Sequence, residues 1–342
     1  MNSFENLAPE QQHEYLLALA HKSLDNWALS GSKLSLVKYR ENAVYKVTTD
    51  GGQAYALRIH RQGYHSEASL RSELEWISAL LESGMAVPRV LPTVDGHLFV
   101  SETTDKIIEP RTIDLFEWVN GVPLGSMEEG VGDDIERIAE IYTSLGRTAA
   151  ELHNQSSNWT LPEGFERHAW DHDGLVGDSP FWGRFWELEL LNDSQRQLLE
   201  RVRDRLSTEL SKHDRSPERY GLIHADFVPE NLMAENNRLH LIDFDDAGFG
   251  WHMFELATAL YFIQEEACYP VVKQALIDGY RQKRVLSDED LSHMELFLTA
   301  RGCTYLGWIR SRQETDTARE LAPELIRRAC EQAERYLSGF SV

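Results

Sequence analysis

The sequence predicts an α+β protein with a small sheet-based N-terminal lobe and a large, mostly helical C-terminal lobe. Two patterns support this division. Short runs of β-branched and aromatic residues, separated by turn residues, dominate the chain before residue 120, as strands do. After residues 120–123, apolar residues recur at helical spacing instead. We therefore expect a helical preface at 1–29, a first lobe at 30–119 and a second lobe at 120–342.

The first lobe is predicted to follow the order β-β-β-α-β-β. Leucines at helical spacing in residues 9–29 indicate the preface helix. Ser66 is a suitable cap for a helix that runs to about Ser83, and Gly84 is a suitable stop. The strands are expected at residues 34–39, 43–48, 54–59, 97–101 and 113–119.

The second lobe is predicted to begin with an amphipathic helix at 133–153. Residues 155–186 are rich in Trp, His, Asp and Gly and are expected to be irregular. A polar helix should follow to about Lys212, then two short apolar segments within 220–244, then helices to the end.

Composition excludes several classes of protein. The 342 residues are 42% hydrophobic, which supplies a core, and 34 basic against 56 acidic residues give a formal charge of −22. We therefore expect no nucleic-acid or membrane partner, because both need positive charge on the protein. Three widely spaced cysteines and the absence of a basic, apolar leader favour a reducing, cytoplasmic location without zinc or disulfides.

One motif carries the chemistry. The pattern H-x-D-x-x-x-x-N runs from His224 to Asn231, and an apolar segment then leads to Asp243, 12 residues after the Asn. Phosphoryl transfer from ATP needs a carboxylate beside the attacking hydroxyl, here Asp226, and oxygen ligands for Mg²⁺, here Asn231 and Asp243. In the alternative interpretation Asp226 and Asn231 form turns and Asp243 caps a strand end.

With these residues, and with the stretches 72–76, 115–121 and 145–153, the sequence resembles the phosphotransferase family of the protein-kinase-like fold. That family includes aminoglycoside phosphotransferases, choline kinases, type II homoserine kinases, hydroxylysine kinases and a bacterial stress-response protein kinase. The resemblance spans about residues 30–265, and residues 55–60 and 243–246 favour the homoserine kinase type II and hydroxylysine kinase-like branch.

The resemblance implies ATP and Mg²⁺ as cofactors and a nucleotide site between the lobes. Arg58 stands where protein kinases present a Lys to the phosphates, and Arg binds phosphate well. Its implied helix partner is Glu73, which helical periodicity places with the buried stripe. The loop at 39–42 lacks the glycines of protein kinases, so backbone N–H groups near Asn42, with its side chain, would cover the phosphates; a plain turn is the alternative.

Residues 116–119 resemble the family hinge, whose backbone binds the adenine edge, so Glu117 and Val119 are candidate contacts. Val44, Ala56 and Phe116 are either the walls of the adenine pocket or ordinary core residues.

The acceptor site is expected beside Asp226. Candidate contacts in the aromatic segment 159–186 are Asp171, His172, Asp173 and Trp182, although aromatic packing under a loop explains them as well. Asp245 and Asp246 either bind a second Mg²⁺ or a substrate amino group, or form a solvated acidic turn. His224 is expected to hold the loop, and Glu255 stands where the family often has a bracing Asp.

The predicted function is ATP-dependent phosphorylation of a hydroxyl on a small, amine-bearing metabolite. One alternative keeps the chemistry and replaces the acceptor by a Ser or Thr of a protein. Another is a catalytically silent nucleotide-binding scaffold, and an antibiotic-resistance role also fits the family.

Overall fold

The computed structural model describes residues 4, 7–39, 42–125, 134–235, 238–313 and 315–339. The chain divides into two compact units. The first comprises Met1–Gly121 with Pro162–Glu166, and the second comprises Val122–Leu161 with Arg167–Val342. The α+β fold class predicted from the sequence is confirmed. None of the helices in the described ranges is long and apolar enough to cross a membrane.

The first unit contains one antiparallel sheet and two α-helices within its described residues. The elements are α1 (Pro9–Ser23), β1 (Lys33–Tyr39), β2 (Ala43–Thr48), β3 (Ala54–Ile59), α2 (Glu67–Glu82), β4 (Phe99–Glu102) and β5 (Arg111–Glu117). A 3₁₀ turn at Leu24–Trp27 follows the first helix. The strands pair in the order β1-β2-β3-β5-β4. The predicted order β-β-β-α-β-β is found, although β4 begins two residues later than predicted and β5 lies two residues earlier.

The register of this sheet sorts its side chains onto two faces. Val44 lies opposite Arg58, which lies opposite Asp114, and Ala56 lies opposite Phe116. Because successive side chains alternate between faces, these five residues share one face. The other face is apolar and packs into a core with Leu16 and Leu19 of α1; it carries Tyr45, Val47, Leu57, Ile59, Ile113 and Leu115.

Helix α2 begins and ends at the expected signals. The Ser66 hydroxyl accepts a hydrogen bond from the Ser69 N–H at 3.0 Å, which satisfies a free donor of the first turn. Gly84 follows the helix with φ of 90°, a left-handed conformation that suits glycine.

The second unit is mostly helical. Its elements are β6 (Val122–Pro123), α3 (Ile135–Asn158), β7 (Ala169–Trp170), α4 (His172–Val176), α5 (Asp193–Leu210), β8 (Tyr220–Ile223), β9 (Leu232–Glu235), β10 (Arg238–Leu241), β11 (Gly248–Trp251), α6 (His252–Leu260), α7 (Tyr269–Arg281), α8 (Asp288–Ser292), α9 (Met294–Arg310) and α10 (Asp316–Ser338). The described strands form two small sheets, in the orders β10-β9-β6 and β7-β11-β8. The prediction that 155–186 is irregular is wrong in part, because α3 continues to Asn158 and both a short strand and a short helix follow.

Helices α3 and α7 approach each other closely through two glycines. A Cβ on Gly146 would lie 2.0 Å from the Leu276 carbonyl oxygen, and a Cβ on Gly279 would lie 2.0 Å from the Thr143 carbonyl oxygen. Only glycine fits at such separations, so the two backbones are in direct contact there.

Candidate active site

The loop after β8 is anchored by a buried carboxylate. Ala225 adopts φ of 64°. In this conformation the backbone N–H groups of His224 and Ala225 both donate to the Glu255 carboxylate, at 2.7 and 2.8 Å. The His224 ring donates from Nε2 to the Ile242 carbonyl at 2.9 Å. Glu255 and His224 therefore fix the loop to α6 and to the segment after β10, as the sequence suggests for both residues.

Burial raises the pKa of Glu255, while the nearby His224 and the two backbone N–H groups oppose that rise. The cost of placing a carboxyl group here is thus offset by the contacts that define the loop.

Asp226 is held through both of its carboxylate oxygens. Asn231 donates from Nδ2 to Oδ2 at 2.8 Å and to the Asp226 carbonyl at 2.9 Å. On the other side, Arg301 donates from Nη2 to Oδ1 at 2.9 Å. The Asp226 side chain is 25% exposed, so a fixed carboxylate edge remains accessible to a small molecule.

Asn231 and Asp243 are brought together by the pairing of β9 with β10. The backbone N–H of Ile242 donates to the Asn231 carbonyl at 2.9 Å. Asn231 uses its amide nitrogen on Asp226, which leaves the amide oxygen for a cation. Asp243 is exposed and has φ of 66°. One carboxylate and one amide oxygen form a donor set that suits Mg²⁺.

Asp246 and Trp182 are also brought together. The Trp182 indole N–H donates to Asp246 Oδ1 at 3.3 Å. His168 Nε2 and Trp170 Nε1 donate to the Asp246 carbonyl at 3.0 and 2.8 Å. Asp245 is buried, with 6% of its surface exposed, so a solvated acidic turn is wrong for this residue.

Asp171 and Asp173 have local contacts instead. Asp171 Oδ1 caps α4 by accepting from the N–H groups of Asp173 and Gly174, and its Oδ2 pairs with Arg215 at 2.9 Å. Asp173 is 89% exposed and lies 2.8 Å from His172. Among the described residues, neither carboxylate is in contact with Asp246 or Trp182.

In the first unit, Arg58 pairs with two buried carboxylates. Its Nε and Nη2 donate to Asp114 at 3.1 and 2.7 Å, and Nη2 also donates to Glu73 at 2.8 Å. Burial would raise the pKa of Asp114, but the Arg58 guanidinium and the hydrogen bond with the His60 ring, 2.8 Å away, lower it to about 2. The guanidinium group lies 5.1 Å from the Phe116 ring centre.

The loop and hinge candidates lie at the ends of the same sheet. Asn42 Oδ1 accepts from the Arg61 N–H at 2.9 Å, which ties the start of β2 to the end of β3. Glu117 uses its own N–H on the Arg89 carbonyl at 2.9 Å. Within the described chain, Val119 makes no backbone hydrogen bond.

The profile of the phosphotransferase enzyme family matches residues 36–286 of this chain. The chain belongs to that family. The family predicted from the sequence is therefore confirmed, and the enzyme is an ATP-dependent kinase.

Three comparisons place this kinase among its relatives. The structure of a microcompartment-associated aminopropanol kinase is 34% identical and covers 94% of this chain and 98% of that one, with a TM-score of 0.83. An amicoumacin kinase in complex with AMP-PNP, Ca²⁺ and Ami is 19% identical over 96% of each chain, with a TM-score of 0.77. The amicoumacin kinase of Bacillus subtilis (strain 168) is 24% identical over 268 residues, which are 78% of this chain and 71% of that protein.

Two charged residues of this kinase do not figure among the residues predicted from the sequence: Asp114 and Arg301. Both carry a visible signal, because each is a charge in the middle of its element between apolar or small neighbours. Asp114 stands between Ile113 and Leu115 in β5, and Arg301 stands in the apolar middle of α9. A lone charge in a buried element needs a partner, which is a reason to search for one.

Proposed function

We propose that this kinase transfers the γ-phosphoryl group of ATP to a hydroxyl of a small amino alcohol. The observation that carries the proposal is the Asp226 carboxylate, which is fixed through both oxygens yet 25% exposed. The likeness to an aminopropanol kinase, at 34% identity over nearly the whole chain, supports an acceptor of that size and class. The free cysteines in the described chain fit a cytoplasmic reaction.

Asp226 orients the acceptor. The acceptor hydroxyl donates a hydrogen bond to the exposed carboxylate edge, which aims its oxygen at the γ-phosphorus. As the new P–O bond forms, the bond from the γ-phosphorus to the ADP oxygen breaks and the hydroxyl proton passes to Asp226.

Asn231 and Asp243 would hold Mg²⁺ through one amide and one carboxylate oxygen. The cation supplies charge neutralisation for the nucleotide phosphates. Asp243→Ala should therefore weaken the binding of Mg-ATP far more than that of metal-free ATP. Calorimetric titrations with and without EDTA measure both affinities, and equal losses would argue against metal ligation.

The first unit would bind the nucleotide, so we assign this role to residues 30–119 and the metal and acceptor roles to residues 120–342. Arg58, kept in place by Glu73 and Asp114, would contact phosphate oxygens, and N–H groups near Asn42 would cover them. The hinge would bind adenine through the backbone of Glu117 and Val119. The shared sheet face would form the pocket wall with Val44, Ala56 and Phe116.

Asp246 would bind the acceptor ammonium group. Its Oδ1 accepts from Trp182, and its backbone carbonyl is fixed by two further rings, so the carboxylate has a defined direction. A carboxylate that an indole N–H holds in one direction suits an alkylammonium ion. Asp245 lies in the same turn and is buried, which fits support of that turn better than direct contact.

A coupled ADP-release assay tests the proposal. The panel contains amino alcohols, the matching alcohols without an amino group, hydroxylated amino acids, an aminoglycoside and a generic protein substrate. We expect turnover with an amino alcohol and at least about tenfold less with its deaminated analogue, since a charge-assisted contact is lost. Turnover with the protein alone would point to a protein kinase, and nucleotide binding without any turnover would point to a scaffold.

A further inference from the structure

Arg301 is a buried cation on an otherwise apolar stretch of α9. Its side chain is fully buried. The guanidinium carbon lies 4.3, 4.9 and 5.7 Å from the ring centres of Tyr305, Trp182 and Phe254. These rings exclude water from the guanidinium group. The free-energy cost of burying its charge must therefore be offset by the hydrogen-bond partners of Arg301.

The fork of Arg301 reaches the catalytic loop at two adjacent residues. Nη1 donates to the Ala225 carbonyl at 3.0 Å, and Nη2 donates to Asp226 Oδ1 at 2.9 Å. Nη2 also donates to the Tyr305 hydroxyl at 2.9 Å. Among the described residues, Asp226 is the carboxylate that forms an ion pair with Arg301. The buried positive charge of Arg301 is therefore balanced by the partly exposed carboxylate of Asp226.

A buried ion pair is a poor source of stability, because the loss of hydration offsets most of the attraction. What it does supply is geometry. With Arg301 on Oδ1 and Asn231 on Oδ2, rotation of the Asp226 carboxylate would break a charge-assisted hydrogen bond. The exposed edge of the carboxylate therefore has a single orientation.

We propose that Arg301 is the positioning residue of Asp226, which fixes the direction from which the carboxylate receives the acceptor hydroxyl. This inference rests on the proposed function, in which Asp226 orients the acceptor. Arg301 acts through Asp226 and makes no contact with substrate, so its removal should slow turnover and leave nucleotide binding unchanged.

The test compares Arg301→Met, Arg301→Lys and a control, Arg203→Met. Arg203 has the same kinds of contact away from the loop: backbone carbonyls at Val176 and Gly177, the Asp178 carboxylate at 3.0 Å and the Trp186 ring at 3.9 Å. We expect Arg301→Met to lower kcat about 100-fold, as displaced catalytic groups do, with KM for Mg-ATP unchanged. Lys at position 301 should lose less, and Arg203→Met should keep kcat.

Two further readouts separate positioning from a merely structural role. A further variant, Arg301→Ala, leaves the place of the guanidinium group empty. Guanidinium chloride, at concentrations too low to unfold the protein, should therefore raise the kcat of Arg301→Ala and leave the kcat of Arg203→Met unchanged. Adding Arg301→Met to Asp226→Ala should cause no further loss of kcat, because residues that act as a unit are not additive. The proposal would be overturned if the two substitutions lowered kcat by factors that multiply in the double variant. It would also be overturned if Arg301→Met alone left kcat unchanged.

The outcome also separates this inference from the proposed function. Suppose that the wild type is active, that Asp226→Ala abolishes turnover and that Arg301→Met is as active as the wild type. In that case the role given to Arg301 is wrong, and the proposed function stands. If the wild type transfers no phosphate, a crystal structure of Arg301→Lys or Arg301→Met decides the inference without turnover. We expect the Asp226 carboxylate to rotate away from its present orientation, and an unmoved carboxylate in Arg301→Met would refute positioning.

Discussion

Two stacked imidazoles beneath the catalytic loop should make the second unit sensitive to acid. His153 and His252 are buried, and their ring centres are 4.1 Å apart. Nδ1 of His153 lies 2.9 Å from the Tyr280 hydroxyl, and its Nε2 lies 3.8 Å from Glu255. Burial, together with the charge of Arg284, holds the pKa of both rings well below 6.5.

The direction of the effect follows from proton binding. Below pH 6.5 the unfolded chain protonates both imidazoles while the folded protein keeps them neutral, so the free energy of unfolding decreases as the pH falls. Between pH 7 and pH 5 this loss amounts to about 2 kcal/mol for each ring, or about 4 kcal/mol for the pair.

Urea unfolding at pH 7 and pH 5 measures the loss. The His153→Phe/His252→Phe variant should lose about 4 kcal/mol less than the wild type between the two pH values, and either single variant about 2 kcal/mol less. Tyr280→Phe is the control: it alters the same core without removing a group that titrates in this range, so its loss should match that of the wild type. An equal loss in the wild type and the double variant would refute the reasoning.

Three other substitutions test the supports of the site. Asp114→Asn leaves the buried Arg58 charge with one carboxylate fewer and should lower the free energy of unfolding, measured with urea, by about 3–5 kcal/mol; an unchanged value would contradict the stabilising role of this pair. Glu255→Gln turns an amide N–H₂ toward a loop that needs two acceptors; kcat should fall at least about tenfold with little change in the KM for Mg-ATP, and an unchanged kcat would contradict the bracing role. Gly279→Ala should destabilise by about 2 kcal/mol or more, because overpacking outweighs the helix propensity of Ala; an unchanged melting temperature would contradict the close helix contact.

The sequence predicts best where a local pattern decides the structure. Strands at 43–48 and 54–59 have the predicted bounds because alternation and turn residues are both local. The pairing of Glu73 with Arg58 agrees with helical periodicity, which places Glu73 on the buried side of α2.

The sequence predicts least where distant segments meet. Residues 169–170 form a strand because β11 lies parallel to them, a pairing that no local pattern indicates. Asp171 and Asp246 are both acids in aromatic surroundings, yet only the tertiary structure pairs the first with Arg215 and the second with Trp182. Arg301 is 75 residues from Asp226 in sequence, so its role as a partner could not be predicted from spacing.

The measurement that tests the account most directly compares turnover and nucleotide affinity in Asp226→Ala. With an amino alcohol acceptor and Mg-ATP, we expect kcat to fall by about 10³-fold, in the range for loss of a group that orients and deprotonates the acceptor. Calorimetry should give a Mg-ATP affinity close to that of the wild type, and Asp204→Ala, at an exposed position of α5, should match the wild type in both. A turnover in Asp226→Ala equal to that of the wild type would contradict the central claim.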